Sequence, residues 1–297
     1  MIINKTNLSN LYTAYKAAFQ SAFSEVKPQW KDFATYVKST TLIETYAWLN
    51  QMPGMREWIG DRFIKNIEQE GYTVKNRDWE QTIAVLRNAI EDDQFGVYTP
   101  MIAAMGAAAA TFPDQLIFGQ LKSGFGALCY DGQAFFDPEH PVRGADGKIT
   151  GVSNMQDGDG VPWYLFDLSK PIKPMLYQDR KSATFVAKDS PEDDNVFMRR
   201  EFLYGTDCRA ATGFTFWQLA FGSKAELDKD NFDAAFDAMA VFKGDEGRPL
   251  GIQATHMVIP PQLRTKADEV IRVQRLANGA DNPNYARVTV VTVPWLA

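Results

Sequence analysis

Two histidines, two cysteines and a few closely spaced acids are the residues of this 297-residue chain whose types suit chemistry. His140 lies in Asp137-Pro138-Glu139-His140-Pro141. An imidazole between two carboxylates is a possible donor set for a divalent cation. Two prolines in the same five residues make a rigid surface turn the simpler reading. His256 adjoins the apolar run Met257-Val258-Ile259 and reads as a structural histidine rather than a ligand. Cys129 and Cys208 stand apart with no CxxC, which fits neither a disulfide framework nor a zinc cage; they read as reduced thiols. Asp157-Gly158-Asp159-Gly160 resembles the opening of a calcium loop but lacks the third acid and the closing glutamate, so it reads as a turn. Glu91, Asp92 and Asp93 are acids without an implied basic partner, not a poised acid–base pair. The chain has no GxxxxGK[ST], no GxGxxG between strand and helix, and no GxSxG. These residues point away from catalysis; no catalytic residue, cofactor or metal ligand is assigned.

The bulk properties agree with a folded, globular body. Apolar residues are 45% and charged residues 23% of the chain, close to a globular average, and the length suggests about two domains. A 13% aromatic content fits large buried contacts, within a core or between chains. The net charge of −6 gives no footprint for duplex DNA. Met-Ile-Ile-Asn-Lys lacks the layout of a signal peptide. The longest weakly polar run, about 101–112, falls short of the roughly 20 residues that span a bilayer. The expectation is a protein made and kept in the cytosol.

The elements that would position these residues follow from spacing. Leu8, Leu11, Tyr15, Ala18, Phe19 and Phe23 recur at helical intervals, with Ser9 as a candidate cap. Residues 1–40 carry five lysines against Glu25 and Asp32, a net +3. Residues 33–49 read as extended. From Arg56 to Thr82, five bases and six acids alternate around Gly71, which reads as a long two-stranded hairpin. Such a hairpin is marginal alone and needs a surface to lie on, its own domain or a neighbour. A helix over 99–123 starts at Thr99-Pro100, with Met101, Met105, Ala109, Phe112 and Leu116 as its stripe and a kink or break at Pro113. Turns dominate 130–162, strands and turns 163–222, with a net −3 loop at 188–194 and a buried strand from Phe214 to Phe221. Helices follow over 229–242 and after Thr265, with strands at 257–259 and 287–293. Strands and helices without a βαβ rhythm give an α+β class.

Ordered motifs along the chain carry a resemblance. They are Glu44-Thr45-Tyr46-Ala47-Trp48-Leu49, Pro53-Gly54-Met55-Arg56-Glu57-Trp58-Ile59-Gly60-Asp61-Arg62, Ile90-Glu91-Asp92-Asp93-Gln94-Phe95-Gly96-Val97-Tyr98, Leu128-Cys129-Tyr130-Asp131-Gly132, Phe135-Phe136-Asp137, Asp193 to Met198, Gly213 to Gly222, and Gly247 to Ile252. Together, from about residue 15 onward, the chain resembles the Mu-like phage major head subunit family. The resemblance implies the Hong Kong 97-type capsid fold. It would place an N-terminal arm at 1–40 and an extended loop at 50–83. A peripheral domain would comprise 41–49, 84–164 and 286–297, with its spine helix near 99–123. An axial domain would span 165–285.

The function implied is a major capsid protein that self-assembles into the icosahedral head of a tailed phage and encloses double-stranded DNA. Its partners would be copies of itself in pentamers and hexamers, with scaffold, decoration and portal proteins. DNA contact would be at most nonspecific, and no membrane is involved. Assembly would occur in the host cytoplasm and the product would be the virion. In the mixed-charge hairpin, Trp58, Phe63 and Tyr72 are candidate anchors between subunits, and Arg56, Asp61 and Arg62 would set register. Each could equally contact its own subunit. The arm would reach a neighbour or, second, DNA. An encapsulin-like compartment, a soluble hydrolase or carbohydrate-binding protein, and a tail or connector protein are the competing readings.

Overall fold

The computed structural model describes residues 2–50, 71–92, 94–144, 146–244, 247–276 and 278–297. Its first half runs α1 (Lys5–Glu25), α2 (Trp30–Phe33), β1 (Ala34–Lys38), β2 (Ile43–Tyr46), β3 (Tyr72–Lys75), β4 (Arg77–Leu86), α3 (Arg87–Glu91), α4 (Thr99–Lys122), β5 (His140–Arg143), β6 (Ile149–Val152) and β7 (Met155–Gln156). The second half runs β8 (Trp163–Phe166), β9 (Met175–Lys188), α5 (Asp194–Arg199), β10 (Glu201–Phe214), β11 (Ala220–Ser223), α6 (Lys229–Ala240), β12 (His256–Ile259), α7 (Arg264–Ala267) and β13 (Thr289–Thr292). The mixture is the expected α+β class.

Two cores lie along α4. The buried face of α1, Leu8, Leu11, Tyr15 and Phe19, packs with Ile102 and Met105 from the first half of α4, and with Val85, Phe185, Phe202 and Tyr204 from the strands beneath. Ile117, Phe118 and Leu121 from the second half belong to a larger core with Trp163, Phe166, Phe214, Trp217, Phe232 and Met257. The stretch Gly96–Phe125 is long and apolar enough to cross a bilayer, contrary to the sequence expectation. Here that apolarity serves packing, because the helix carries side chains of both cores. The buried face runs through Ile102, Met105, Gly106, Ala110, Ile117 and Leu121; Met101, expected on it, is exposed.

The crossing of α1 and α4 is close. A β-carbon at Gly106 would overlap the carbonyl oxygen of Phe19, so only glycine permits this approach. Leu8, Leu11, Tyr15 and Phe19 of the arm are therefore buried within their own chain. Asn4 caps α1, its side chain accepting from the Asn7 N–H at 2.8 Å. Ser9 lies inside the helix, where its carbonyl accepts from the Thr13 hydroxyl at 2.8 Å.

Helix α4 continues through Pro113 without a break. Tertiary contacts on both sides hold the turn that the proline weakens. Phe112 meets Trp79 edge-on, with ring centroids 5.0 Å apart. The buried Asp114 carboxylate accepts from the backbone N–H of Trp30 at 2.7 Å and of Gln29 at 3.2 Å. Burial pushes this carboxyl above its ordinary range, and the two N–H donors oppose that rise. Asp114 thus fixes α2 against the spine. Asp114→Ala leaves two donors without their acceptor and should cost about 1–3 kcal/mol. Chemical denaturation checks this; an unchanged midpoint would show that the link is dispensable.

The strands form two main sheets. One has the order β1-β9-β10-β4, and its long β9–β10 pair runs under α4. The other has the order β13-β12-β8-β11-β7 and is covered by α6. The stretch 165–285, grouped together from sequence, is thereby shared between sheets: β9 and β10 lie in the first, β11 and β12 in the second. Residues 214–221 are buried but do not form one strand. β10 ends at Phe214, a 3-10 turn covers Trp217–Leu219, and β11 starts at Ala220. The helix placed after Thr265 begins earlier, as a turn at Pro261–Leu263, and ends in a π-helical turn at Asp268–Arg272.

Candidate functional site

Two features stand out from the packed body. The first is the root formed by β2 and β3. These strands pair antiparallel, with Tyr46 opposite Tyr72 on either side of residues 51–70 in the sequence. Gly71 sits where the returning chain meets Ala47, and a β-carbon there would lie 2.8 Å from the Ala47 nitrogen. Of the hairpin expected over Arg56–Thr82, residues 56–70 lie outside the described residues; of the remainder, β3 joins β2 and β4 joins β10.

The root is fixed by hydrogen bonds. Tyr46 Oη donates to Gln178 Oε1 at 2.6 Å, and Gln178 Nε2 donates to Asn76 Oδ1 at 2.8 Å. Tyr72 is half-buried, its hydroxyl accepting from the Phe214 N–H at 3.3 Å within the same subunit. Arg56, Trp58, Asp61, Arg62 and Phe63 lie outside the described residues. Glu44 closes the turn before β2. Its carboxylate accepts from Thr40 N–H (2.8 Å), Ser39 Oγ (2.9 Å) and Thr41 N–H (3.1 Å). The Thr40 N–H, followed by the Ser39 hydroxyl and the Thr41 N–H, lowers this carboxyl to about 2. A depressed carboxyl contributes stability above its unfolded value, near 4.3, that is lost as pH falls through the folded value. Amide exchange at Thr40 and Thr41, compared with the rest of the chain, should therefore accelerate as pH drops from about 4 toward 2. Glu44→Gln should remove that pH dependence. An identical profile in the variant would exclude Glu44 as its source.

The second feature is the outer end of the β9–β10 pair. Helix α5 closes this end, and its Val196 is buried beside Ile90 and Ile102. The next two residues point outward: Phe197 is 80% and Met198 75% exposed. Leu86, paired opposite Glu201, is exposed, as are Val97 and Met101 around the start of α4. Large apolar residues gathered on one exposed end mark an interaction surface. Charge is divided across it. Glu192 and Asp194 are exposed before the apolar pair, and Arg199 and Arg200 after it. The sequence marks the acidic loop and carries Phe197 and Met198 within the family motif Asp193 to Met198, but does not mark them as contact residues, because their types suit a core equally well.

The remaining sequence candidates settle as follows. Asp157 to Gly160 is an exposed turn. Glu91 is ion-paired with Arg87 at 2.9 Å. His256 is half-buried beside Phe33, and burial lowers its pKa. His140 departs from expectation: Pro138 and Glu139 are exposed, but the imidazole is fully buried and stacked on Trp217. Its partners are Asp131 and Asn154, not Asp137 and Glu139.

Comparison with known proteins gives a consistent result. The family model described as Mu-like prophage major head subunit gpT matches residues 8–296. The major capsid protein of Escherichia phage Mu is 39% identical over 305 residues, covering 100% of both chains. The Mu-like prophage FluMu major head subunit of Haemophilus influenzae is 42% identical, covering 88% of this chain and 87% of that one. Among solved structures, a chain of the bacteriophage JBD30 procapsid is 45% identical with a TM-score of 0.88, covering 99% of this chain and 100% of its own. A chain of the JBD30 capsid is 36% identical with a TM-score of 0.79, covering 100% of both.

Proposed function

Because the chain belongs to the Mu-like prophage major head subunit family, as a major capsid protein that forms the head shell of a tailed phage, we propose how its surfaces build that shell. In this reading the β9–β10 end is a contact between copies. The observation that carries it is the outward projection of Phe197 and Met198 between acids on one flank and arginines on the other. A patch with opposite charges on its two flanks suits head-to-tail contact, which closes into rings under rotational symmetry. Charge sets register, and the buried apolar pair supplies most of the contact energy.

Of the expected loop at 50–83, residues 72–75 and 77–83 belong to the subunit's own strands, and the segment 51–70 supplies a second contact by lying across a neighbour. The β2–β3 pairing supports this, because it fixes Tyr46 and Tyr72, which flank the segment, opposite one another on the subunit body. Trp58→Ala or Arg62→Glu should reduce shell yield more than subunit stability. Electron microscopy and thermal unfolding of the same preparations check this; loss of folded signal in step with shell yield would contradict the assignment.

The shell is built from pentamers and hexamers in the host cytoplasm and encloses double-stranded DNA. Scaffold and portal proteins direct its closure. A JBD30 capsid is decorated with minor capsid protein trimers, and a comparable decoration suits the outer face here. The first sheet, with α4 and the arm helix, corresponds to the peripheral domain, and the second sheet, with α6, to the axial one. The subunit acts by contact rather than by catalysis. Lys5, Lys16 and Lys27 on the exposed arm allow weak, salt-sensitive DNA contact.

A further inference from the structure

His140 is fully buried, and its surroundings are polar. Its ring is clamped face-on against Trp217, with centroids 4.1 Å apart and planes 8° from parallel. The Asn154 amide is fixed beside it. Asn154 Nδ2 donates to the Phe135 carbonyl at 2.8 Å and faces the Trp217 and Ala220 carbonyls at 3.4 Å. Asn154 Oδ1 accepts from the Asp137 N–H at 2.9 Å. That orientation turns Oδ1 toward His140 Nε2 at 3.2 Å, so Nε2 must carry a proton. The other nitrogen, Nδ1, then faces the Asp131 carboxylate at 2.7 Å. Two atoms with lone pairs at that distance require a positive species between them. Cys129 Sγ completes the group, 3.0 Å from the other Asp131 oxygen. All three donor atoms lie within 4.8 Å of one another.

We propose that Cys129, Asp131 and His140 form a binding site for a thiophilic divalent cation of the zinc type. The donor set suits it: thiolate and imidazole select such ions, and a carboxylate completes three protein ligands, leaving a fourth position for water. The Nε2–H bond to Asn154 is the outer contact that holds a metal-bound imidazole in its correct tautomer. Binding exchanges two protons for one ion. The Cys129 thiol proton and the Nδ1 proton leave to solvent, the S–H and N–H bonds break, and bonds from sulfur and nitrogen to the metal form. The buried charge is the same before and after. Before binding, one proton held between Nδ1 and Asp131 balances the carboxylate charge. After binding, one divalent ion balances a carboxylate and a thiolate. The ion also needs more room than a proton. With zinc–ligand bonds of about 2.0–2.3 Å, the Asp131 oxygen must withdraw from Nδ1 by roughly half an ångström. Asp131 is the partly exposed member and can make that shift. Without metal, burial first and the Asp131 charge second push the Cys129 thiol up, so protons compete strongly for the site.

Cobalt(II) titration of the purified chain tests the site, because a cysteine thiolate bound to cobalt gives a near-ultraviolet charge-transfer band. The expected result is one such band per subunit, displaced by zinc, present in Cys208→Ser and absent in Cys129→Ser. Serine preserves a donor to Asp131. Should that variant fail to fold, persistence of the band in Cys208→Ser still assigns it to Cys129, since the chain has two cysteines. Absence of the band in the wild type, its loss in Cys208→Ser, or its survival in Cys129→Ser overturns the proposal and leaves a proton as the bridging charge.

Discussion

Replacing Phe197 and Met198 together by aspartate is expected to leave a folded subunit that no longer builds shells. Both side chains are largely exposed in the single chain, so folding should change by no more than about 0.5 kcal/mol per substitution, about 1 kcal/mol for the pair. In the shell each should be desolvated, at about 1.5–3 kcal/mol per side chain. The low end of that range, about 3 kcal/mol for the pair, raises the concentration needed for assembly on the order of a hundredfold. Repetition over every contact of a closed shell enlarges the effect. The new carboxylates also add to the acidic flank formed by Glu192 and Asp194. Light scattering follows assembly, and circular dichroism with thermal unfolding follows the fold. Shells at wild-type concentration would remove this end of the molecule from the assembly surface.

Substitution of Gly106 is expected to have the largest effect on the subunit itself. Any β-carbon there overlaps the Phe19 backbone, which cannot rotate away as a side chain would. Gly106→Ala gains about 1 kcal/mol of helix propensity but meets an overpacking cost of about 1–3 kcal/mol, so a modest net loss is expected. Gly106→Leu should force α1 off the spine and expose Leu8, Leu11, Tyr15 and Phe19. Each loses about 1.5–3 kcal/mol of burial, an upper estimate because a released helix collapses in part. Amide exchange should accelerate across α1 and the neighbouring strands while the larger core stays protected. Uniform protection in Gly106→Leu would show that the helices are not locked at this crossing.

These two sites illustrate what was legible in the chain. Helix α1 was visible because Leu8, Leu11, Tyr15 and Phe19 mark a single stripe, and α6 because Phe232, Ala235, Phe236 and Met239 do the same. Their partners were not visible. The arm's docking depends on a glycine about ninety residues downstream, and spacing within a helix carries no information about the surface it meets. Pro113 looked like a break because its local cost is real; the compensation comes from Asp114 and Trp79 through contacts with distant segments. His140 looked like part of a surface turn because its neighbours are prolines and acids. Its burial is set by Asn154 and Trp217, which the fold brings back over it. Phe197 and Met198 illustrate the converse problem. Apolar type does not distinguish a core residue from one awaiting a partner. The ordered motifs carried the family and function, and the geometry added which surfaces are left to be covered.

The most direct test is a high-resolution electron-microscopy map of particles assembled from this chain. The expected result is a closed shell in which Phe197 and Met198 are covered by a second copy and residues 51–70 lie over a neighbouring subunit. Particles with both regions bathed in solvent, or a concentrated preparation that remains monomeric, would contradict the account.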